Sequence, residues 1–530
     1  MIIIRKEYKK MKKLIAITLA AATMLSVTGC KKETAKKDGE QMVITIANSV
    51  AISENSPTQK YLEEKYNVKI KTLGFGTDYY DKMATLFASK DIPDVMFMNE
   101  KSNWEPLAKM GVLAPIDLAV VEEAAPDHFA HINKVNKALW VLGQSGETQY
   151  AIPRSNGKEN NNLMVWNKRW LDAVGVSEVP TKIEEFGEIF DKLVNGDPDG
   201  NGKKDTYALT GIGGTYYRQF DWVFGAFGVM PEQWTVEDGK VINGTVSDKA
   251  KQALTLLNDW YEKGYISPEF ITDVQTDIPK KFGAGLIGTT QFMLDTISPD
   301  TPSGAAYIAA DDAIAPENIV VTQLPMGPNG DYGDWQWGPL ANYVCFGSHL
   351  KDDVEKQKVI LKMLNDINYD EETALRCQWG EEGKTYKIND PAVGKSSGLS
   401  YLGNYGTDAN LKAEEGIGFF NLFKCGQSGS NWADYEISKQ YLNENYVKQL
   451  DEMASSGNYN DALLRASTAS TELYATTLQT YKTNTYAEFI TGKKSLDEWD
   501  AFVKEYMRQG GETLQKEAQE FYDKYVAPTK

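Results

Sequence analysis

Apolar and polar positions alternate weakly over Met42–Ala47 (MVITIA), and again over Val68–Thr72 (VKIKT), so both stretches read as strands. Between them Thr58–Tyr66 (TQKYLEEKY) reads as a short helix. Tyr79–Ala88 places Tyr79, Met83, Leu86 and Phe87 at helical spacing, and after Asp91-Ile92-Pro93-Asp94 the run Val95–Met98 (VMFM) has the uninterrupted apolar character of a buried strand. Strand, helix, strand, helix, strand predicts a parallel α/β sheet. Ligands in open sheets of this type bind beyond the carboxyl ends of the strands. Those ends are Asn48-Ser49 and Asn99-Glu100, which makes Asn48, Asn99 and Glu100 candidate ligand contacts.

Further along, Val246–Gly264 is an amphipathic helix with Ser247 as its N-cap and Gly264 as its stop. Asp352–Ile367 and Ser495–Gln509 are predicted as helices, the second capped by Ser495, and the last hundred residues look mainly helical. Glycines and aromatics punctuate the middle, as in Gly211–Tyr217 and Trp222–Gly228. No internal repeat is visible.

The amino-terminal segment has a different pattern. Lys9, Lys10, Lys12 and Lys13 precede the apolar stretch Leu14–Val27. That stretch is shorter than the roughly twenty apolar residues a bilayer core requires, and it fits the hydrophobic region of a secretory signal. It ends in Val27-Thr28-Gly29-Cys30, which resembles the lipobox of bacterial lipoproteins. The resemblance implies cleavage after residue 29 and a diacylglycerol on the Cys30 sulfur. Two acyl chains give the two signals that stable anchoring needs. Met11 is an alternative start to Met1, and a chance cysteine behind an ordinary signal is the competing reading. Residues 30–40 then form the lipidated cysteine and a flexible tether, since KKETAKKDGE contains no aliphatic residue larger than alanine. No later segment has the pattern of a membrane span.

The 490 residues after position 40 exceed what one core sustains and predict two large lobes. The chain carries 74 acidic and 56 basic residues, a net charge of −18; removal of residues 1–29, with six basic residues and Glu7, leaves −23. That balance argues against nucleic acid, whose phosphates require clustered Lys and Arg. Apart from Cys30 there are Cys345, Cys377 and Cys425, too few for a disulfide framework and best read as buried thiols, although one bridge among them stays open.

Several stretches, in order, resemble the extracellular solute-binding proteins of carbohydrate ABC importers, and in particular their large lipoprotein branch. They are Leu62–Ile70 (LEEKYNVKI), Tyr79–Met98 with its D-x-PDV pattern, Tyr150–Arg154 (YAIPR), Val165–Val176 (VWNKRWLDAVGV) and Pro180–Phe186 (PTKIEEF). Tyr261–Phe270, Phe282–Thr290, Leu324–Gly330, Trp379–Tyr386 and Ile490–Tyr506 continue the match over nearly the whole chain beyond the tether. The resemblance implies an α/β fold of the two-lobed, periplasmic-binding-protein-like (class II) type, with a hinge and a central ligand cleft. One lobe is expected from 41–165 plus about 338–430, the other from about 166–337 plus 431–530. It further implies capture of an oligosaccharide by lobe closure, delivery to permease subunits, action as a monomer, and a place on the outer face of the cell membrane.

Residues 197–209 (DPDGNGKKDTYAL) hold the most specific chemical signal. Asp197, Asp199, Asn201 and Asp205 fall at alternate positions with the Lys203 carbonyl between, and Gly202 stands where an EF-hand loop turns sharply. The twelfth position, normally Glu, is Ala208. In the alginate-type branch of the resembled family a similar loop carries calcium, with an acidic residue at the place held here by Thr206. Structural calcium is therefore expected on Asp197, Asp199, Asn201, Lys203, Asp205 and Thr206, with a solvated Asp-Gly turn as the alternative.

Sugar rings stack their C–H faces on aromatic planes, while their hydroxyls need donors and acceptors. Trp335 and Trp337 are candidates because they alternate beside glycines where the chain should recross the hinge. Trp379 and Trp432 lie beside Gly-rich turns, and Tyr216, Tyr217, Arg218 and Trp222 mix aromatic rings with charge. Gln291 follows the resembled GxxG segment, and Arg154 is suited either to a uronate carboxylate or to a structural ion pair. A neutral oligosaccharide suits the negative chain better than an anionic one. No GxSxG, P-loop or HExxH is present, so no enzyme is predicted; His128 and His131, spaced i,i+3, lack a zinc pattern. An extracellular glycoside hydrolase using two carboxylates and a peptide-binding importer component are the alternatives.

Overall fold

The structure, a computed structural model, describes residues 41–155, 162–213, 220–293, 297, 312–335, 338–389, 399–422, 457 and 461–529. Cys30 and the signal and tether segments lie outside them. The chain divides into two compact units: Met1–Ser155, Ala341–Lys387 and Tyr401–Cys425 form one, and Asn156–Leu340, Ile388–Ser400 and Gly426–Lys530 the other.

The first unit is built on a five-stranded sheet. Its strands are β1 (Met42–Asn48), β2 (Val68–Gly74), β3 (Val95–Met98), β4 (Ala151–Ser155) and β5 (Leu340–Phe346), in the order β2-β1-β3-β5-β4. β1 runs parallel to β2 and β3, as alternation and helix spacing predict. The sheet is nevertheless mixed, because β5 returns antiparallel to β3 with Tyr343 opposite Met98 and Phe346 opposite Val95. Helix α1 (Pro57–Tyr66) begins on Ser56, whose hydroxyl accepts from the Gln59 amide at 3.3 Å, and ends on Asn67 in the left-handed conformation. Its Gln59 and Glu63 side chains pair with the Ile70 carbonyl and amide at 2.9 and 2.8 Å, occupying the backbone groups of the outermost strand. Helix α2 (Tyr79–Ser89) is tied to the sheet by Tyr79, whose hydroxyl donates to the Phe97 carbonyl at 2.7 Å.

Asp94, immediately before β3, joins three segments. Its carboxylate accepts from the Thr45 amide of β1 at 2.6 Å, from His349 Nε2 at 2.7 Å, and pairs with Lys356 Nζ at 2.6 Å. Burial opposes its charge, but the bonds from His349, Lys356 and Thr45 outweigh burial and hold its pKa below the ordinary carboxylate value.

The second unit centres on a three-stranded antiparallel sheet in which Asn162–Asn167 lies between Thr289–Met293 and Ile319–Thr322. The strand Asn162–Asn167 thus falls in this unit although the sequence reading divides it at 165, because both its neighbours are here. An aromatic core covers one face: Trp166 packs on Phe186 with ring centroids 5.1 Å apart, and Phe190 on Trp260 at 4.8 Å. The helix Asp248–Glu262 starts on Ser247, whose hydroxyl accepts from the Ala250 amide, and the chain turns at Gly264 with φ +76°, as read from sequence. The carboxyl-terminal helices join this core, with the Tyr486 hydroxyl donating to the Thr245 carbonyl at 2.6 Å. Helix Glu512–Phe521 turns Gln515 and Gln519 onto the hairpin strand Lys240–Asn243, where the Val241 amide donates to Gln519 Oε1 at 2.7 Å. The stretch predicted as one helix over Ser495–Gln509 is a capped 3₁₀ turn, a helix Trp499–Tyr506 and the start of a wider turn, Met507–Gly511; the kink falls at Gly510, φ +128°, one residue beyond the predicted end.

Cys345 and Cys377 are free and buried; Cys425 lies outside the described residues. No helix among the described residues is long and apolar enough to cross a membrane.

Asp94→Asn keeps the shape and removes the charge, and it is expected to cost about 2 kcal/mol at pH 7, the usual range for hydrogen bonds to charged groups. Asp94 has a depressed folded pKa, so its contribution is complete above the unfolded value near 4 and fades as pH falls through the folded value. Urea unfolding of both proteins at pH 7 and pH 3 checks this: the difference between them should shrink at the lower pH.

Candidate functional site

The carboxyl-end edge of the first unit's sheet gathers four of the residues singled out by sequence. Asn48 ends β1 and is buried, with its Nδ2 donating to the Phe419 carbonyl at 2.6 Å. Asn99 and Glu100 follow β3 and are exposed. The Asn99 amide donates to the Tyr80 hydroxyl at 2.9 Å, and Glu100 caps the helix Lys101–Lys109, where a carboxylate is favoured by the helix dipole. Arg154, on β4, is buried with its guanidinium 5.6 Å above the Phe97 ring, so its packing is with an aromatic face as well as with polar neighbours.

Trp379 is the last residue of the helix Glu371–Trp379 and is half-buried, its ring 4.5 Å from that of Tyr401. Tyr401 in turn has Lys412 Nζ 4.8 Å above its ring and donates its hydroxyl to the Gln378 carbonyl at 3.0 Å. Two amides that pattern reading did not single out belong to the same neighbourhood. Asn421 is 5% exposed, and neither its Nδ2 nor its Oδ1 has a partner among the described residues. Gln378 is similarly buried, with Oε1 unpartnered. Gly418 donates its amide to the Cys377 carbonyl at 2.8 Å, which holds the segment bearing Asn421 against the one bearing Gln378. No periodic signal marks either residue.

In the second unit Gln291 lies on the strand Thr289–Met293 opposite Met164, 8% exposed, with Nε2 unpartnered. Trp222 corrects the sequence reading. It is 1% exposed within the core, 5.7 Å from Phe186 and 5.9 Å from Trp260, because residues 221–226 form a short helix that turns it inward. Trp335 is also largely buried, beneath the Arg465 guanidinium at 4.8 Å. Tyr216, Tyr217, Arg218, Trp337 and Trp432 lie outside the described residues.

The acidic loop follows the helix Phe186–Asn195. Asp197 adopts φ +50° and accepts from the Gly202 amide at 3.2 and 3.1 Å, while Gly202 turns with φ +74°. Asn201 Nδ2 stands 2.6 Å from Asp199 and 3.0 Å from Asp205, so one polarised amide group draws two carboxylates together. A cation would occupy such a position with the amide turned to present its oxygen. As the side chains stand, no group of three acidic, His or Cys residues among the described residues converges to hold a metal. Thr206 is corrected as a side-chain ligand: its hydroxyl is buried and donates to the Leu193 carbonyl at 3.1 Å. Ala208, at the twelfth position, is fully buried and bonded to the Tyr265 carbonyl, so no exit helix brings a carboxylate there.

His128 and His131 are buried and serve the first unit's packing. His128 Nε2 donates to the Pro153 carbonyl at 3.0 Å, with the Tyr369 hydroxyl 3.4 Å from Nδ1, and His131 Nε2 contacts the Ser155 hydroxyl.

Two mixed α/β units, with the chain passing repeatedly from one to the other, define the two-lobed class of solute-binding proteins. Residues 58–355 match the bacterial extracellular solute-binding proteins, and the chain belongs to that family. It is 25% identical over 396 residues to lipoprotein LipO of Bacillus subtilis (strain 168), covering 72% of this chain and 74% of LipO. It is 23% identical over 401 residues to the fructooligosaccharide ABC transporter substrate-binding protein FusA of Streptococcus pneumoniae serotype 4, covering 66% of this chain and 73% of FusA. FusA has been solved with kestose (TM-score 0.56, 18% identity, 92% of this chain and 100% of that one) and as an EF-hand mutant with fructo-nystose. The HMO binding ABC-transporter associated solute-binding protein of Bifidobacterium longum infantis shares the fold at TM-score 0.63 and 17% identity, over 92% of this chain and 99% of that one.

Burial, chiefly, lowers the His128 pKa to about 3 and the His131 pKa to about 4, with lesser effects from neighbouring cations. Both rings are neutral in the folded chain and ionise in the unfolded chain near pH 6.5, so their contribution is present above 6.5 and lost progressively below it. Unfolding free energy is expected to fall between pH 6.5 and 5 by up to about 1.4 kcal/mol per pH unit per histidine. His128→Gln should flatten that slope in urea titrations; a wild-type profile level across this window would refute the assignment.

Proposed function

We propose that this chain is the substrate-capturing component of an ABC importer, which closes two lobes on an oligosaccharide and delivers it, unaltered, to permease subunits. The observation that carries the reading is the match to FusA, whose name records fructooligosaccharide transport, over most of both chains. Asn48, Asn99, Glu100, Arg154 and Gln291 are the proposed ligand contacts, with Trp379 as a stacking surface. The net charge of −18 favours a neutral sugar. Lipidation of Cys30 and the tether would hold a monomer beside the permease on the outer face of the membrane.

Incubation with a panel of oligosaccharides tests capture against hydrolysis. A ligand present at a hundred times its Kd should stabilise the protein by about 2.7 kcal/mol and be recovered intact. New reducing ends in the mixture would replace the binding reading with a hydrolytic one.

We also propose that the Asp197 loop holds calcium in a structural role, through Asp197, Asp199, Asn201, the Lys203 carbonyl and Asp205. The approach of Asp199 and Asp205 to one Asn201 atom supports it, as does the EF-hand of FusA. EGTA is expected to lower the melting temperature, calcium to restore it, and Asp199→Ala with Asp205→Ala to abolish the response. An equal EGTA response in the double variant would reject the site.

A further inference from the structure

An unpartnered amide inside a protein is costly, because its donor and acceptor have both left water without replacement. Asn421 is in that condition at both ends, and it sits two residues from Phe419, whose carbonyl is bound by Asn48 at the carboxyl end of β1. Backbone bonds brace the segment around it: Leu422 donates to the Phe420 carbonyl at 2.7 Å and Gly418 to the Cys377 carbonyl at 2.8 Å. The side chain is therefore held in place by bonds to which its own amide contributes nothing. Gln378 Oε1, on the segment bonded to Gly418, is a second acceptor left open there, and the Trp379–Tyr401 ring pair adjoins it.

We infer that the Asn421 amide is a specificity-determining group that reads two neighbouring hydroxyls of a sugar ring. A primary amide offers one acceptor and a pair of donor hydrogens in a single plane, and adjacent hydroxyls each donate and accept, so one Asn satisfies a vicinal diol at two points. A methyl or a missing hydroxyl at either point leaves one end of the buried amide unmet and is rejected. The inference rests on the oligosaccharide reading above.

The test uses the full chain with kestose, nystose, xylotetraose, mannotriose and trigalacturonate as calorimetric probes. Asn421→Leu, of similar volume, should weaken the best of these roughly ten- to a hundred-fold, the loss of two hydrogen bonds. The melting temperature of the ligand-free protein should be unchanged or higher. Asn421→Ser keeps one hydroxyl that both donates and accepts, and adds no charge, so it should lose less, and it serves as the second variant if the leucine protein folds poorly. Affinity in Asn421→Leu equal to wild type overturns the inference while the oligosaccharide reading stands. So does a lowered melting temperature in both ligand-free variants, since the amide would then already have a partner in the protein or a trapped water. Failure of the wild type to bind any probe removes the oligosaccharide reading itself, and the inference with it.

Discussion

The first lobe depends on the insertion of β5 between β3 and β4. No arrangement of residues 41–155 alone completes that sheet, because the strand that fills the gap arrives only after the chain has passed through Asn156–Leu340 of the other unit. The Asp94 carboxylate makes this insertion specific. It binds β1 through Thr45 on one side and the segment following β5 through His349 and Lys356 on the other, while the Gly347 amide reaches the Asp94 carbonyl at 3.0 Å. A charge in this position is tolerated only because several donors converge on it, and each donor comes from a segment that must already be in register. The cost of long-range closure is met by a polar junction as well as by burial of Tyr343, Val344 and Cys345.

That dependence explains what the sequence could and could not disclose. The β1-α1-β2-α2-β3 series was readable because each element announces itself locally: Ser56 and Pro57 open α1, Asn67 closes it, and VMFM is short and apolar. Ser247 and Gly264 mark the helix between them in the same way. The direction and neighbours of β5 were not readable, since LANYVCF carries no information about a partner about 250 residues earlier in the chain. The helix read over Ser495–Gln509 stops one residue short of the kink, which Gly510 marks with φ +128°.

The candidate site was less legible than the fold. Strand ends identified Asn48, Asn99 and Glu100 because topology fixes where they emerge. Aromatic content misled at Trp222, since a ring near glycines plugs a core as readily as it faces a ligand, and in the second unit Trp166, Phe186, Phe190, Trp222 and Trp260 pack on one another. The acidic loop was legible as a turn, with Asp197 and Gly202 both at positive φ, whereas the inward turn of Thr206 is decided by the carbonyl of Leu193 on the preceding helix, which no loop motif encodes.

Stability and recognition place opposite demands on a buried amide, and the described residues contain both outcomes. Gln59, which is buried, and Gln515 and Gln519, which are half-buried, are spent on backbone groups of strand edges, so they stabilise the fold and have nothing left to offer a ligand. Asn421 and the Gln291 Nε2 group are buried with no partner among the described residues, and a buried amide left without one costs stability. A solute that satisfied such groups would gain not only its own bonds but relief of that deficit, whereas an apolar solute of the same size would leave it in place. Selectivity for hydroxyl-rich ligands can therefore arise in a strongly acidic protein from neutral amides, without a charged group at the point of contact.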